Sequence, residues 1–581
     1  MKPKTVASYL LTRLHRHGVK QLFLVPGAHL DPLIRELANF PEIQAVLCSH
    51  EVCAGYLADG ASRVSGRPGV VAVLGGPGVS HLMTAVLTAA TENRPLLILS
   101  GDVPLQWAEW PAFHNAGPAY LNQSAWLNPL LRQSWRLEVA QDLPDILSQA
   151  LGALSGDTPG PVHVQIPANL WDQHLLASEV EPSSSVHDFG PEGDPDSDLE
   201  PEQIRQLLQF MLDFMLDSKQ LACYVGSGLD PSRAAPALRQ LAESLQIPVA
   251  TTLCAKGLLP ENHALSLGVF GFAGQKKAEK VLLSESTEAL LVLGVNPNER
   301  NTLAWHPAFL NPSRKIIWVN QHCPDVILRH FPQLTFVQAK PTRVLQALVS
   351  QIALPSFPGV PGTGHLQRKQ SWASLAELGS DRLPDKPPIN REAAKVASVL
   401  QALRQSLPAQ TAIFVDAGLV KLFAGDYWQA LVPGTFHVSA EVGAMGWAIG
   451  AGIGAAFTGR PVVVLTGDGS MRMQGTEIST AAQHALPILF VLFNNGTLGS
   501  VAQRLAEHPG ALDTLQLPAT NWPLFAQSLG VPAFELKSLP QLTAFLSDPS
   551  AFQGPALIEV RSALPSDQQA RSLALPAVKD L

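Results

Sequence analysis

The sequence predicts an α/β protein of three domains, each a mainly parallel sheet flanked by helices. Three observations carry that expectation. Short apolar runs alternate with amphipathic stretches over Val6 to Ser100, again over Leu221 to Val319 and again over Ala412 to Phe493, the rhythm of βαβ units. Two Pro-rich stretches poor in large apolar residues, 177–200 and 353–390, interrupt it and read as linkers. The expected strand ends run into Gly-rich turns: Gly75-Gly76-Pro77-Gly78, Gly226-Ser227-Gly228, Asp416-Ala417-Gly418 and Gly467-Asp468-Gly469-Ser470. The division that follows is an N-terminal domain over 1–176, an acidic linker over 177–200, a central domain over 201–352 and a linker over 353–390. A third domain spans 391–565, with a tail over 566–581.

Composition narrows the class. Of 581 residues, 46% are hydrophobic and only 15% charged, enough for large buried cores. The net charge of −8 comes with no basic block, so a nucleic-acid partner is not expected. Five cysteines form no CxxC pair, which favours a reducing compartment. The opening MKPKTVASYLLTRLHRHGVKQLFLV has helical spacing and runs into a strand, unlike a signal peptide. No apolar run is long enough to span a membrane. A cytoplasmic protein is expected.

In chain order, Val6 to His17 is an expected helix closed by Gly18, and Leu22 to Val25 a strand ending at Pro26-Gly27. Pro32 to Asn39 is a helix, Ala45 to Cys48 a strand, and His50 and Glu51 stand at its end. A helix over Val52 to Val64, a strand over Gly69 to Leu74, a helix to Glu92 and a strand over Leu96 to Ser100 follow. Trp107 to Trp126 (WAEWPAFHNAGPAYLNQSAW) is an aromatic irregular loop, and loops after strand carboxyl ends are commonly functional. Pro159 to Pro167 closes the first domain. In the central domain, strands are expected over Leu221 to Val225, Pro248 to Thr251, Ala289 to Leu293 and Lys315 to Val319. In the third, they are expected over Ala412 to Val415, Val462 to Thr466 and Ile488 to Phe493, with a helix over Glu477 to His484.

The last of these segments carries the sharpest chemistry. In a parallel sheet, Asp468 and Asn495 emerge on the same carboxyl edge, where ligands bind. The 24 residues from 470 to 493 suit one βαβ crossover. The turn glycines Gly467 and Gly469 let backbone N–H groups approach a phosphate, and Ser470 adds a donor. The Asp468 carboxylate and the Asn495 amide oxygen are hard ligands suited to Mg²⁺.

GDG followed at this distance by Asn494-Asn495 resembles the diphosphate-binding signature of thiamine-diphosphate-dependent enzymes. HEVCAGYLADGASRVSGRPGVVAVLGGPGV with RPLLILSGDVP likewise resembles their pyrimidine-binding domain, most closely in the acetolactate synthase and 2-oxo acid decarboxylase group. The resemblance implies thiamine diphosphate held through Mg²⁺ by Asp468, Asn495 and the Thr497 carbonyl. It implies that Met445 wedges the bent cofactor and that the Gly443 carbonyl receives its 4′-amino group. Glu51 matches the catalytic Glu, whose hydrogen bond to the pyrimidine favours the imino form that deprotonates the thiazolium. That Glu, unpaired at an apolar helix start, would have a raised pKa. His114, after Phe113, falls on an active-site loop position, and His29 faces the expected mouth.

The resemblance further implies a cofactor lying between two chains, hence a homodimer or homotetramer, and small 2-oxo acid substrates. The central domain of the family holds FAD in some members and nothing in others. Gly226-Ser227-Gly228 is too short a motif to indicate it, so any flavin is expected to be structural or absent. The expected reaction is decarboxylation of a pyruvate-like 2-oxo acid and transfer of the acyl-anion equivalent to a second carbonyl. Val501 stands where pyruvate decarboxylases carry a Glu, and His114 lacks an adjacent second histidine; both point to ligation. Arg504 replaces the acceptor-selecting Trp of acetolactate synthases, and Arg300, closing GVNPNER, matches an acceptor-binding Arg. Both suit a polar or anionic acceptor. Glu441 departs from the family's Gly. A simple decarboxylase releasing an aldehyde is the alternative; a silent flavin- or nucleotide-binding relative would be expected to lack Glu51. A dinucleotide oxidoreductase needs a full GxGxxG, which is missing.

Overall fold

The computed structural model describes residues 4–155, 159–175, 201–332, 334–353 and 391–562. The acidic linker over 177–200, all but the first residue of the linker over 353–390, and the tail over 566–581 lie outside the described residues. Among the described residues there are three six-stranded sheets, every strand pair in them parallel. Helices flank them, as the alternation requires.

The first sheet comprises β1 (Gln21–Leu24), β2 (Gln44–Leu47), β3 (Gly69–Leu74), β4 (Leu96–Asp102), β5 (Gln133–Arg136) and β6 (Pro161–Pro167), in the order β2-β1-β3-β4-β6-β5. The second comprises β7 (Leu221–Val225), β8 (Val249–Thr251), β9 (Ser266–Val269), β10 (Ala289–Leu293), β11 (Lys315–Asn320) and β12 (Leu334–Gln338). The third comprises β13 (Ala412–Val415), β14 (Phe436–Val438), β15 (Val462–Gly467), β16 (Ile488–Asn494), β17 (Ala533–Glu535) and β18 (Ala556–Arg561). Its order, β14-β13-β15-β16-β18-β17, repeats that of the first sheet. In both, the strand order reverses between the first and third strands, opening a crevice at their carboxyl ends. The central sheet differs: β9-β8-β7-β10-β11-β12 is the dinucleotide-type order.

The two like sheets share a core. Helix Glu51–Ser65 of the first domain crosses helix Trp447–Ala456 of the third, and residues of both belong to one apolar cluster. The crossing needs glycine. A Cβ on Gly60 would lie 1.8 Å from the Ala451 carbonyl oxygen, and one on Gly454 would lie 1.9 Å from that of Leu57. The Gly/Ala-rich run therefore packs on a helix as well as on its own sheet, where a Cβ on Gly452 would lie 2.3 Å from Val464. Polar links reinforce the contact. Trp447 Nε1 donates to Asp59 at 2.8 Å, and Arg63 joins Asp59 and Glu92 at 3.0 and 2.6 Å in full burial.

One local expectation is corrected. The segment read as a turn over Gly467 to Ser470, with a helix from Glu477, is helical from Asp468 to Gln474 and again from Ile478 to Gln483, joined by a 3-10 turn. An Asp in the first turn suits the positive end of the helix. Among the described residues, no helix is long and apolar enough to cross a membrane.

Candidate active site

The carboxyl edge of the third sheet gathers the predicted ligands. Asp468 is buried; its Oδ1 accepts from Gly469 N at 3.0 Å and its Oδ2 from Gly496 N at 2.7 Å. Burial pushes its carboxyl pKa up, against these backbone hydrogen bonds, which favour the ionised form. Asn495 lies beside it on the β16 loop, its Oδ1 accepting from Thr497 N at 3.2 Å. Thr497 is fastened by Oγ1 to the Leu515 carbonyl at 3.0 Å. Asp468 and Asn495 both line a cavity of about 530 Å³.

Around this edge the backbone is bare. Gly418, Gly443 and Gly496, on the loops after β13, β14 and β16, have φ of +104°, +67° and +69°, and a Cβ at any of them would meet nothing within 4 Å. The loops therefore present peptide groups to open space, as a phosphate cradle requires. A dication there would relieve the enclosed Asp468 charge. The residues present fit a magnesium–diphosphate group. Met445 lies over this edge: its Cε is 2.8 Å from where a Gly469 Cβ would stand. Ser470 is buried in the helix that Asp468 opens.

One buried residue ties two of these loops to strand β15. Asp416 Oδ1 accepts from Ala417 N and Gly446 N, both at 2.9 Å, and Oδ2 from Thr466 Oγ1 at 2.9 Å. It thus fixes the end of β13, the loop carrying Gly443 and Met445, and β15. Burial is the largest influence on it and raises its pKa to about 6.

Glu51 opens helix Glu51–Ser65 in the first domain. It is not unpaired, which corrects the sequence expectation: His81 Nδ1 lies 3.1 Å from Glu51 Oε2. Neighbours of Glu51 turn to the same chain's third domain instead. Ser49 N donates to Glu477 at 3.0 Å, and Cys53 Sγ to Gln474 at 2.9 Å.

The aromatic loop after β4 is knotted from within. Asn115 Nδ2 donates to the carbonyls of Trp107, Ala108 and Trp110 at 3.3, 3.0 and 2.9 Å, and buried Asp102 accepts from Ala116 N at 3.0 Å. This holds His114 at φ +61°, with its ring 3.6 Å from that of exposed Phe113. The fold also supplies the second imidazole that sequence adjacency lacked. The His29 ring lies 6.3 Å from that of His114, edge to face. Burial lowers the His29 pKa, partly offset by Asp102.

The central domain meets the site through Gly294 to Arg300. Asn296 and Asn298 donate to the Glu441 carboxylate at 3.4 and 3.3 Å, and Arg300 Nη1 to the Ala440 carbonyl at 3.4 Å. Glu441 is thus an inter-domain contact. It keeps solvent access, yet the protein around its carboxyl pushes its pKa up. Arg300 also lies over the Phe272 ring at 5.0 Å. Arg504 is exposed and turned onto its own helix, donating to Ser500 O at 3.0 Å. Gly226 and Gly228 do not front open space: a Cβ on each would lie 2.4 and 2.9 Å from Gly294 backbone. Their small size serves loop packing, so the dinucleotide-type strand order is not matched by a phosphate cradle at this turn.

Several residues around the sites escaped sequence reasoning. Lys395, Arg472 and Arg561 line the Asp468 cavity, and Gln123 Oε1 accepts from Gly76 N at 3.0 Å under the Gly-rich turn. His81 follows Gly78 by three residues, but only the helix–helix contact puts it beside Glu51. None of these has a local sequence signature.

Two like sheets, one edged by an enclosed Asp, an Asn and bare glycine loops and the other by a Glu at a helix start, define a cofactor-binding α/β enzyme fold. Residues 4–126 match the family "Thiamine pyrophosphate enzyme, N-terminal TPP binding domain", 208–348 its central domain and 416–560 its C-terminal TPP binding domain. The chain belongs to the thiamine pyrophosphate enzymes and stands close to their acetolactate synthase group. It is 26% identical over 573 residues to the acetolactate synthase isozyme 1 large subunit of Escherichia coli K12, covering 96% of this chain and 94% of that one. It is 27% identical over 509 residues to a probable acetolactate synthase large subunit of Methanocaldococcus jannaschii, covering 86% and 81%. The fold is also that of a Rhodococcus jostii thiamine diphosphate-dependent 4-hydroxybenzoylformate decarboxylase, with a TM-score of 0.77 at 20% identity over 97% of this chain and 100% of that one.

Proposed function

We propose that this protein is a thiamine-diphosphate- and Mg²⁺-dependent enzyme that decarboxylates a pyruvate-like 2-oxo acid and ligates the acyl-anion equivalent to a second carbonyl. The observation that carries the reading is the juxtaposition of Asp468, Asn495 and Gly496 beneath open glycine loops. When bound, the thiazolium supplies the electron sink for cleaving a carbon–carbon bond beside a carbonyl.

The chain's own residues do the rest. Asp468, Asn495 and the Thr497 carbonyl hold the cation, with Gly467, Gly469 and Ser470 shaping the diphosphate end. Gly443 and Met445 orient the pyrimidine end, on a loop that Asp416 fixes. Glu51 holds and returns the proton at the pyrimidine nitrogen. Its hydrogen-bond partner His81 belongs to its own domain, while Ser49 and Cys53 turn to the same chain's third domain. The family's arrangement, with the cofactor between two chains, is carried over here: Glu51 serves the Asp468 of a second chain, and the working unit is a homodimer or a pair of them. Arg300 and Arg504 are the guanidiniums assigned to a polar or anionic acceptor.

The His29–His114 pair favours a second reading, simple decarboxylation, because two imidazoles can protonate and release an aldehyde. One experiment separates the two. Purified protein with thiamine diphosphate and Mg²⁺ is given a panel of 2-oxo acids, with CO₂, free aldehyde and coupled ketone measured together. Ketone in excess of aldehyde supports ligation, and aldehyde alone supports the second reading. No CO₂ from any 2-oxo acid defeats both.

A further inference from the structure

Beside Glu51 stands a cluster of donors that the proposed reaction uses only in part. His50, Glu51 and His81 bring three ligand atoms within 4.8 Å of one another. Glu51 Oε2 is 3.1 Å from His81 Nδ1 and 3.8 Å from His50 Nδ1. The two imidazole rings lie 4.9 Å apart at 31°. Zinc bonds of about 2.0–2.1 Å at the tetrahedral angle set neighbouring donors roughly 3.4 Å apart. The two measured spacings bracket that edge.

The donor chemistry is selective. Two imidazoles and one carboxylate suit zinc, copper, nickel or cobalt; magnesium and calcium take oxygen ligands. Three protein ligands leave a fourth position for water, as in open zinc sites. In the single chain the histidine side chains are 47% and 56% exposed, while that of Glu51 is 15% exposed and held. His50 Nδ1 also caps the helix, accepting from Val52 N at 3.2 Å. Ligation through that nitrogen replaces the cap; ligation through Nε2 leaves it.

We infer that His50, Glu51 and His81 form a binding site for a zinc-class transition-metal dication, and that an ion there removes Glu51 from proton transfer. Binding takes an ionised carboxylate and two neutral imidazoles, and releases any proton they carry. No electron is transferred. The binding half stands on geometry; the inhibitory half rests on the Glu51 role proposed above.

The test is a titration of tag-free, chelator-treated, cofactor-free protein with zinc, followed by calorimetry, and with cobalt, followed by its visible bands. One equivalent per chain is expected, with tetrahedral cobalt bands. His81→Asn, His50→Gln and Glu51→Gln, each removing a ligand, are expected to weaken it by at least the roughly 10- to 100-fold that loss of an outer-shell partner costs, with circular dichroism unchanged. Equal zinc affinity in wild type and all three variants overturns the site. In the loaded enzyme, zinc is expected to stop CO₂ release over the concentrations at which it binds, and His81→Asn to need proportionately more to lose its own rate. Zinc bound at these residues with CO₂ release unaffected overturns the inhibitory half. Normal turnover in metal-free Glu51→Gln defeats the catalytic reading instead, and the titrations still decide the site.

Discussion

Asp416 offers a prediction whose sign follows from which oxygen meets which donor. Its Oδ1 takes two backbone N–H groups and its Oδ2 the Thr466 hydroxyl. In Asp416→Asn, the amide oxygen keeps both N–H groups, and the new NH₂ donates to a Thr466 oxygen whose hydroxyl rotates to accept. All three contacts survive while the buried charge disappears. The wild-type carboxyl is raised from 3.8 to about 6, chiefly by burial. The folded state therefore holds this proton more tightly than the unfolded chain, and wild-type stability falls as pH rises between those values. The displacement is worth about 3 kcal/mol.

Asp416→Asn should thus gain on wild type by up to that amount between pH 4 and 7, where substitution of a buried charged residue ordinarily destabilises. The assay is urea unfolding of both cofactor-free proteins at matched pH, following third-domain amides by hydrogen exchange, because a chain of several domains need not unfold in one step. Other titrating groups are common to both proteins and cancel in the difference. Parallel profiles across this range would refute the argument. A variant less stable than wild type at pH 7 would show that one of the three hydrogen bonds fails to re-form.

Other outcomes follow from the same geometry. Glu51→Gln should cut turnover by about 10²- to 10⁴-fold at unchanged cofactor affinity; near-normal initial rates would sink the relay. Asp468→Ala should abolish Mg²⁺-dependent thiamine diphosphate binding, checked by fluorescence titration with and without chelator. Gly454→Ala drives a methyl into the Leu57 carbonyl and should cost about 1–3 kcal/mol or more, read as a lower urea midpoint; an unchanged midpoint would mean that the helices are not so closely crossed. Arg300→Gln should leave CO₂ release largely intact while moving product from ketone to aldehyde. Arg504→Ala, whose guanidinium sits on its own helix, should move that ratio less.

Much of this fold was legible because buried parallel strands announce themselves. β3, β4, β15 and β16 each carry at least four consecutive apolar residues and have almost no exposed surface, and each was placed within about two residues. Six strands were missed. β9 (SLGV) and β14 (FHV) are buried but only four and three residues long, and β12 (LTFVQ) is an edge with two exposed positions. The other three are of another kind. β5 (QSWR) and β17 (AFE) are short, partly exposed edges with little apolar signal. β18 (ALIEVR) buries Glu559, which accepts from Asn494 at 2.7 Å, and a charge inside a strand breaks the pattern that reading depends on.

The site divides along the same physical line. Asp468 and Asn495 sit at ends of strands that the sequence reveals, so their meeting on one edge follows from topology. The His29–His114 and Glu51–His81 pairs do not. Each joins residues that only tertiary packing brings together, and His114 reaches its partner through a backbone knot tied by Asn115 and Asp102. Glu441 is the sharpest case. Beside the family pattern it is an unexplained charge; in the fold it receives the amides of Asn296 and Asn298. A substitution that makes no sense on its own strand becomes intelligible once the loop it faces is known. The same contact sets Arg300 against the loop bearing Gly443 and Met445, so a change at Glu441 should alter acceptor handling through Arg300 before it alters cofactor binding.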